Sequence, residues 1–170
     1  PKNAYRLFFT SNHDENSWAG TEFERMGDGH KTFAALCATL DGMPLMYSGQ
    51  EEPLRKRLAF FEKDTIPFKD YAYEGFYTTL NQLKKKNQAL WNGEHGGLSR
   101  RINESNEVYA FIREKNGDKF IGVVNLSGKP QKTTLQVPVT ELNIVFTDDR
   151  LTLDTGQNIN LGPWEFFLFS

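Results

Sequence analysis

An asparagine–glycine pair, Asn116-Gly117, lies between two runs rich in β-branched and aromatic residues, Val108 to Arg113 and Lys119 to Leu126. Asn-Gly is the strongest short-range signal for a two-residue β-hairpin, because both residues readily adopt a positive φ. Both runs are apolar on their two faces, which is typical of central strands that are covered on either side. The sequence therefore predicts an antiparallel hairpin in the middle of a sheet.

Further short strand-like runs follow the hairpin and are separated by turn-forming residues. These runs are centred on Thr133 to Val137, Asn143 to Thr147, Leu151 to Leu153, Gln157 to Leu161 and Glu165 to Phe169. Their regular spacing predicts an antiparallel β-sandwich of about seven or eight strands.

The first half of the chain has a different pattern. Tyr5 to Phe9 and Met43 to Tyr47 are short apolar runs that predict buried strands. Apolar residues at helical spacing predict helices from Lys31 to Asp41 and from about Tyr71 to Lys86. Glu15 to Gly29 is polar and glycine-rich, and it predicts a long loop. The order strand, helix, strand indicates β/α units.

Both predicted strands of this half end in polar residues. The first leads into Asn12, His13 and Asp14, and the second leads into Ser48 to Glu51. Parallel α/β barrels place their chemistry at the carboxyl ends of the strands. A histidine–aspartate pair is also common in helix caps and solvated turns, so the pair alone leaves both interpretations open.

Two motifs resemble the α-amylase family of glycoside hydrolases. They are Phe9-Thr-Ser-Asn-His-Asp14 and Gly42-Met-Pro-Leu-Met-Tyr-Ser-Gly-Gln-Glu51. The first is similar to the family's fourth signature region, and the second resembles the strand that follows it, so together they correspond to the last two strands of the barrel. The similarity continues through Phe60 to Phe68, Leu83 to Trp91 and Leu161 to Leu168.

The resemblance implies an α+β chain. It consists of a partial (β/α) TIM-barrel segment over residues 1–95, followed by an antiparallel β-sandwich domain over residues 96–170. Asn87 to Gly97 is the expected hinge. With 170 residues the chain is too short for a complete barrel, which takes about 250. We therefore expect the C-terminal part of a longer enzyme.

The resemblance also assigns roles to residues. Asp14 corresponds to the family's third carboxylate, which stabilises the transition state, and His13 corresponds to the imidazole that donates a hydrogen bond to the sugar. Asn12 is a further substrate-binding candidate and is expected to hold the Asp14 loop. The family's nucleophile and general acid/base have no counterpart here and would precede Pro1. Glu51 is interpreted as a structural carboxylate at a strand end.

The expected function is that of a C-terminal fragment of a retaining glycoside hydrolase acting on α-glucans. The fragment alone is expected to be inactive. Its expected partners are an α-glucan or maltooligosaccharide and the upstream remainder of the barrel, or a second copy of the fragment. Hydrolysis and transglycosylation, including branching and phosphorolysis, stay open because the third carboxylate serves all of them equally.

The alternative is a non-catalytic carbohydrate-binding or partner module derived from an amylase-like barrel. In such a module Trp91, Tyr109 or Trp164 would contact the glucan. Trp164 lies in an apolar terminal run, so we expect it to pack inward, which favours a structural role for the sandwich.

Charge and motifs limit the other function classes. A net charge of −2 and a pI near 6.0 argue against a nucleic-acid-binding protein, which is usually basic. The sequence contains no apolar run long enough to predict a transmembrane helix and no metal-binding motif. We expect no cofactor in this chain, while the resemblance implies calcium in the parent enzyme. The cellular compartment stays open.

Overall fold

The computed structural model describes residues 4–147 and 149–170. The strands are β1 Leu7–Phe8, β2 Met43–Pro44, β3 Arg100–Arg101, β4 Val108–Lys115, β5 Asp118–Asn125, β6 Gln131–Thr134, β7 Asn158–Leu161 and β8 Phe166–Phe169. The α-helices are α1 Glu22–Met26, α2 His30–Thr39 and α3 Glu74–Lys86. Shorter helical segments are the π-helix Glu15–Ala19 and the 3₁₀ turns Gly27–Gly29, Gln88–Leu90 and Gly93–His95.

The first half contains the expected β/α arrangement. β1 pairs with β2 in parallel, with Leu7 opposite Met43 and Phe8 opposite Pro44, and α1 and α2 lie between the two strands in the chain. Gly42 allows this return, because a Cβ at that position would lie 2.6 Å from the carbonyl oxygen of Arg6. The barrel segment is therefore partial and is not closed.

The prediction of a polar loop from Glu15 to Gly29 was wrong, because this stretch is almost entirely helical. A capping box begins α1. The Thr21 hydroxyl accepts from the Glu24 backbone N–H at 3.2 Å, and the Glu24 carboxylate accepts from the Thr21 N–H at 2.7 Å. These two bonds satisfy donors that a helix start leaves open, so the short helix forms without a regular apolar stripe.

The second half is an antiparallel sandwich. One sheet has the order β3-β4-β5-β8, and the other consists of β6 and β7. The predicted hairpin is confirmed: β4 and β5 pair from Val108–Asn125 to Lys115–Asp118, and Asn116 and Gly117 have φ values of 50° and 93° between them. Two positive φ values in succession are those of the twist-matched type I′ turn.

The sequence predicted seven or eight strands in the sandwich, but fewer of these runs form regular strands in the structure. Asn143 to Thr147 and Leu151 to Leu153 make only isolated bridges, which join Asn143 to Arg150, Ile144 to Phe169 and Val139 to Leu153. A turn over residues 145–147 ends the first run after two bridged residues. Asp148 and Pro1 to Asn3 lie outside the described residues.

The four-stranded sheet is the central layer of the molecule. One face packs with the second sheet in an apolar cluster that includes Ile112, Ile121, Val123, Ile159 and Leu161. The other face packs on α2, α3 and the following 3₁₀ turn. This second cluster joins Phe111, Phe120, Val124 and Leu168 to Leu36, Leu80 and Leu90. Two covered faces explain why β4 and β5 are apolar throughout, and burial of each such large side chain contributes about 1.5–3 kcal/mol.

Arg113 is the charged exception within this layer, with 1% of its surface exposed. Its guanidinium donates to the backbone carbonyl oxygens of Gly97 at 2.8 Å, Thr39 at 2.7 Å, Leu40 at 3.0 Å and Trp91 at 2.7 Å. Asp41 lies 3.1 Å from its Nε and completes the pairing. The Thr39 and Leu40 carbonyls belong to the C-terminal end of α2, where a cation is favoured by the helix dipole. Arg113 therefore ties the sandwich to the β/α segment.

Among the helices of residues 4–147 and 149–170, none has the length and apolar character needed to cross a membrane.

Candidate functional site

His13 and Asp14 follow the carboxyl end of β1, from which residues 9–12 separate them, and both are open to solvent. Their side chains are 69% and 60% exposed, and His13 Nε2 is 3.6 Å from Asp14 Oδ2. An imidazole and a carboxylate held this way can contact two neighbouring hydroxyl groups of one ligand, the first as donor and the second as acceptor. The structure thus brings together the two residues that the sequence singled out.

Asn12 is occupied within the loop itself. Its side-chain oxygen accepts from the backbone N–H of Glu15 at 2.8 Å, and its carbonyl oxygen accepts from the N–H of Asn16 at 2.9 Å. These bonds turn the chain from β1 into the π-helix and set the direction of Asp14. The expectation that Asn12 holds the loop agrees with this geometry, whereas its contact with substrate stays a prediction.

A buried polar network lies beneath the loop. Gln50 Nε2 lies within hydrogen-bond distance of three acceptors: the Thr10 hydroxyl at 2.7 Å, the Glu22 carboxylate at 2.8 Å and the Tyr77 hydroxyl at 3.0 Å. The Thr10 hydroxyl also donates to Glu22 at 3.1 Å. Burial raises the pKa of Tyr77. These bonds tie Thr10, which lies just beyond β1, to α1, α3 and the segment after β2, and so restrain the chain that leads to His13 and Asp14.

Glu22 and Gln50 were missed as supporting residues by sequence reasoning. The sequence drew attention to Glu51. Its carboxylate accepts from the nearby Gly49 N–H at 2.8 Å, which agrees with its interpretation as a structural carboxylate. The available signal was the polar run after the second strand, which includes Gln50. Nothing in the sequence marks Glu22 as its partner.

Arg25 connects the same strand end to the π-helix. Its guanidinium donates to the carbonyl oxygen of Thr10 and, at 2.9 Å, to that of Gly20, and it lies 3.2 Å from the Glu15 carboxylate. The Arg25 side chain therefore restrains the chain on both sides of Asp14, at Thr10 before it and at Glu15 after it.

A cluster of aromatic rings adjoins His13. The His13 ring is stacked on Phe60 with centroids 6.0 Å apart, Trp18 contacts Phe60 at 5.2 Å, and Phe61 contacts Phe60 at 4.8 Å. Trp18 is 62% exposed. Most of the indole is therefore open to solvent.

The segment that carries Phe60 and Phe61 is fastened to the π-helix. The Asn16 side chain donates to the carbonyl oxygen of Lys56 at 3.2 Å and accepts from the N–H of Leu58 at 2.7 Å. Ser17 donates to the carbonyl oxygen of Leu58 at 2.8 Å. Asn16 itself is buried, so these bonds are shielded from water.

Trp164, a candidate for the alternative sugar-binding module, packs inward as expected. Its ring lies 5.9 Å from that of Phe33, and a Cβ on Gly29 would approach the indole to 2.9 Å. The Thr32 hydroxyl donates to its carbonyl oxygen. Trp164 thus helps to dock the sandwich on α2.

The described residues offer no cluster of three or more histidine, cysteine, aspartate or glutamate side chains suited to a metal ion.

Comparison with known proteins agrees with this architecture. Residues 100–168 match the family described as "Maltogenic Amylase, C-terminal domain". This match lies within the sandwich and covers less than half of the chain. A comparison with curated proteins finds no match.

Solved structures show a likeness in fold over nearly the whole length of the chain. A noncanonic maltogenic α-amylase from Thermotoga neapolitana superposes with a TM-score of 0.75 at 20% identity, covering 99% of this chain and 42% of that one. An Anoxybacillus α-amylase gives 0.69 at 20% identity, covering 96% and 37%. Trehalose-6-phosphate hydrolase from Bacillus licheniformis gives 0.65 at 17% identity, covering 98% and 43%.

At these identities the solved structures establish the fold. The chain spans less than half the length of each of these three enzymes. The expected resemblance to the C-terminal part of α-amylase-family glycoside hydrolases is confirmed, as is the α+β fold class.

Proposed function

We propose that the chain is the C-terminal part of a retaining glycoside hydrolase acting on α-glucans, in which Asp14 stabilises the transition state. One observation carries this proposal: an exposed imidazole–carboxylate pair projects from the end of a barrel-type strand, on a base of buried hydrogen bonds. The amylase-type sandwich and the maltogenic α-amylase among the structural neighbours support the choice of α-glucan.

In this mechanism the chain supplies binding and charge. Asp14 accepts hydrogen bonds from sugar hydroxyl groups, and His13 donates one to the same sugar. As the ring becomes oxocarbenium-like, positive charge develops near the Asp14 carboxylate and the interaction strengthens. Interactions that are stronger in the transition state than in the bound substrate raise the rate. Asn12 orients the pair through its bond to the Glu15 N–H.

The nucleophile and the general acid/base belong, in this proposal, to barrel strands upstream of Pro1. Retaining enzymes need these two carboxyl groups about 5–5.5 Å apart. The division at residues 95 and 96 into barrel segment and sandwich is part of the same proposal. The 170-residue chain alone is expected to show no glycosidase activity.

The test is made on the full-length protein that the gene encodes. Asp14→Asn should lower kcat for maltooligosaccharide cleavage by about 10³-fold or more, because it removes a charge opposed to the developing cation, while circular dichroism stays unchanged. Ser127→Ala, in a loop of the sandwich, serves as the control. Unchanged turnover of Asp14→Asn, or an upstream sequence without the two carboxylates, would overturn the proposal in favour of a non-catalytic module.

A further inference from the structure

Three exposed rings, Trp18, Phe60 and Phe61, form what we call the aromatic platform. They are 62%, 38% and 80% exposed, yet they contact one another, with Trp18 5.2 Å from Phe60 and 6.1 Å from Phe61. Large apolar side chains that cluster on a surface mark interaction sites more often than isolated ones do. The aromatic platform is therefore a candidate binding surface.

The position of the platform indicates which occupant it suits. Phe60 contacts both Trp18 and His13, and His13 is paired with Asp14. The rings thus continue the surface on which the proposed sugar contacts lie. A ligand that extends beyond those contacts in the direction of Phe60 meets the platform next.

The platform is also held in place before any ligand arrives. Asn16 and Ser17 fasten the Trp18 helix to residues 56–58, as described above. The loop that follows is closed by Asp64, whose carboxylate binds Lys56 and accepts from the N–H groups of Ala59 at 2.9 Å and Thr65 at 2.7 Å. The hydrogen bond from Lys56 is the main cause that lowers the pKa of Asp64, to about 2. Exposed side chains on a fixed backbone lose little entropy when a ligand binds.

The π-helix that carries Trp18 supports a binding role. Segments of this kind are rare and occur frequently at functional sites. Here the π-helix begins directly after Asp14, so the same turn of chain positions the carboxylate and the indole.

We propose that the platform binds a glucosyl unit of the α-glucan next to the unit contacted by His13 and Asp14. This inference rests on the proposed function. A sugar ring has faces of C–H groups that pack on aromatic faces, while its hydroxyl groups stay in water. The rings are tilted, by 46° between Trp18 and Phe60 and by 79° between Phe60 and Phe61. A surface of tilted rings matches the bent course of an α-linked glucan better than the flat ribbon of a β-1,4-linked one.

The experiment is a calorimetric titration of the 170-residue chain with glucose, maltohexaose and cellohexaose. Maltohexaose should bind more tightly than glucose, and cellohexaose should bind more weakly than maltohexaose. Trp18→Ala and Phe61→Ala should each weaken maltohexaose binding by about five- to tenfold and leave the affinity for glucose unchanged, because a single unit on His13 and Asp14 does not reach the platform. Because Phe61 is 80% exposed, its removal does not disturb the fold.

Phe68→Ala is the matched control, since Phe68 is an exposed phenylalanine stacked on Tyr71 instead. Its maltohexaose affinity should equal that of the unaltered chain. Equal affinities in the platform variants, or no saturable binding of maltohexaose, would overturn the inference. So would a platform variant that changes only the light-scattering mass, because the rings would then serve a contact between proteins.

The two proposals fail in different ways. Asp14→Asn should weaken the binding of both glucose and maltohexaose in the same titration. If Asp14→Asn lowers turnover of the full-length protein while the platform variants bind maltohexaose normally, the function stands and the platform inference falls. If the platform variants lose affinity but Asp14→Asn retains turnover, the chain binds glucan and the catalytic role of Asp14 falls.

Discussion

The surroundings of Lys84 disfavour the protonated, charged form of its side chain. It lies on α3, its Nζ donates to the carbonyl oxygen of Leu90 at 2.8 Å, and it lines an apolar cleft of about 620 Å³ with Tyr5, Met43 and Trp91. Burial, with a smaller contribution from Arg113, lowers the pKa of Lys84 to about 8. The folded chain therefore holds this proton less tightly than the unfolded chain, whose lysine keeps the ordinary value of 10.5.

The sign of the pH dependence follows from this difference. Between about pH 8 and pH 10.5 the unfolded chain binds more protons at this site, so the free energy of unfolding should rise with pH. Below about pH 8 the site contributes no slope. In Lys84→Met this component is absent, and the difference between the two urea-unfolding curves should change across that range. Parallel pH profiles for the two chains would show that Lys84 is not buried as described.

At the level of single elements, the β4–β5 turn depends on one glycine. Gly117 has a φ of 93°, and a Cβ added to it would have no atom within 4 Å, so Gly117→Ala introduces backbone strain without a clash. The substitution should lower the free energy of unfolding by about 1 kcal/mol. Gly75→Ala is the matched control, because Gly75 also has open space but lies in the first turn of α3.

Alanine is the better helix former, so Gly75→Ala should leave stability unchanged or raise it by about 0.5 kcal/mol. Chemical denaturation of the two variants beside the unaltered chain provides the measurement. Equal losses from both substitutions would contradict the assignment of strain to the turn.

Some elements could be predicted from the sequence and others could not. The hairpin was predictable because its signal, Asn116-Gly117 between two apolar runs, is entirely local. Helix α1 was missed although Thr21 and Glu24 form a recognisable capping box. Its five residues have no clear apolar period. Its buried residue Glu22 accepts a hydrogen bond from Gln50, which lies 28 positions away in the chain.

The same distinction applies to the candidate site. His13 and Asp14 could be singled out because they follow a predicted strand. Their support could not, since it joins Thr10 to Gln50, 40 positions apart. The aromatic platform depends on Asn16 meeting Leu58, 42 positions apart. Long-range contacts of this kind leave no trace in local periodicity.

For the molecule as a whole, the surface beside β1 and β2 is unusually apolar. Among residues 4–147 and 149–170, each of these strands pairs with no strand but the other, and Tyr5, Leu7, Met43 and Met46 are each between 41% and 50% exposed. Unpaired strand edges and apolar patches promote association. We expect the chain to self-associate at high concentration unless other strands of a barrel cover this surface.

Light scattering measures this association directly. The apparent mass should exceed the monomer's 19.5 kDa as concentration rises, and Leu7→Lys should shift it toward the monomer. Trp18→Ala is the comparator, because it alters the aromatic platform and not the strand edge. A constant monomer mass at all concentrations would count against the expectation.

The hydrogen bonds of Arg113 limit which segments could be exchanged between this chain and its structural relatives. Its carbonyl partners Thr39, Leu40 and Trp91 precede the proposed boundary at residues 95 and 96, while Gly97 and Arg113 itself follow it. A chimera that joined this sandwich to the barrel of a relative would keep these bonds only where the relative's backbone places three carbonyl oxygens at the same positions. Stripping a buried charge of its partners costs about 3–5 kcal/mol. The segments to transfer together in a chimera are therefore the sandwich, the end of α2 and the turn at Trp91.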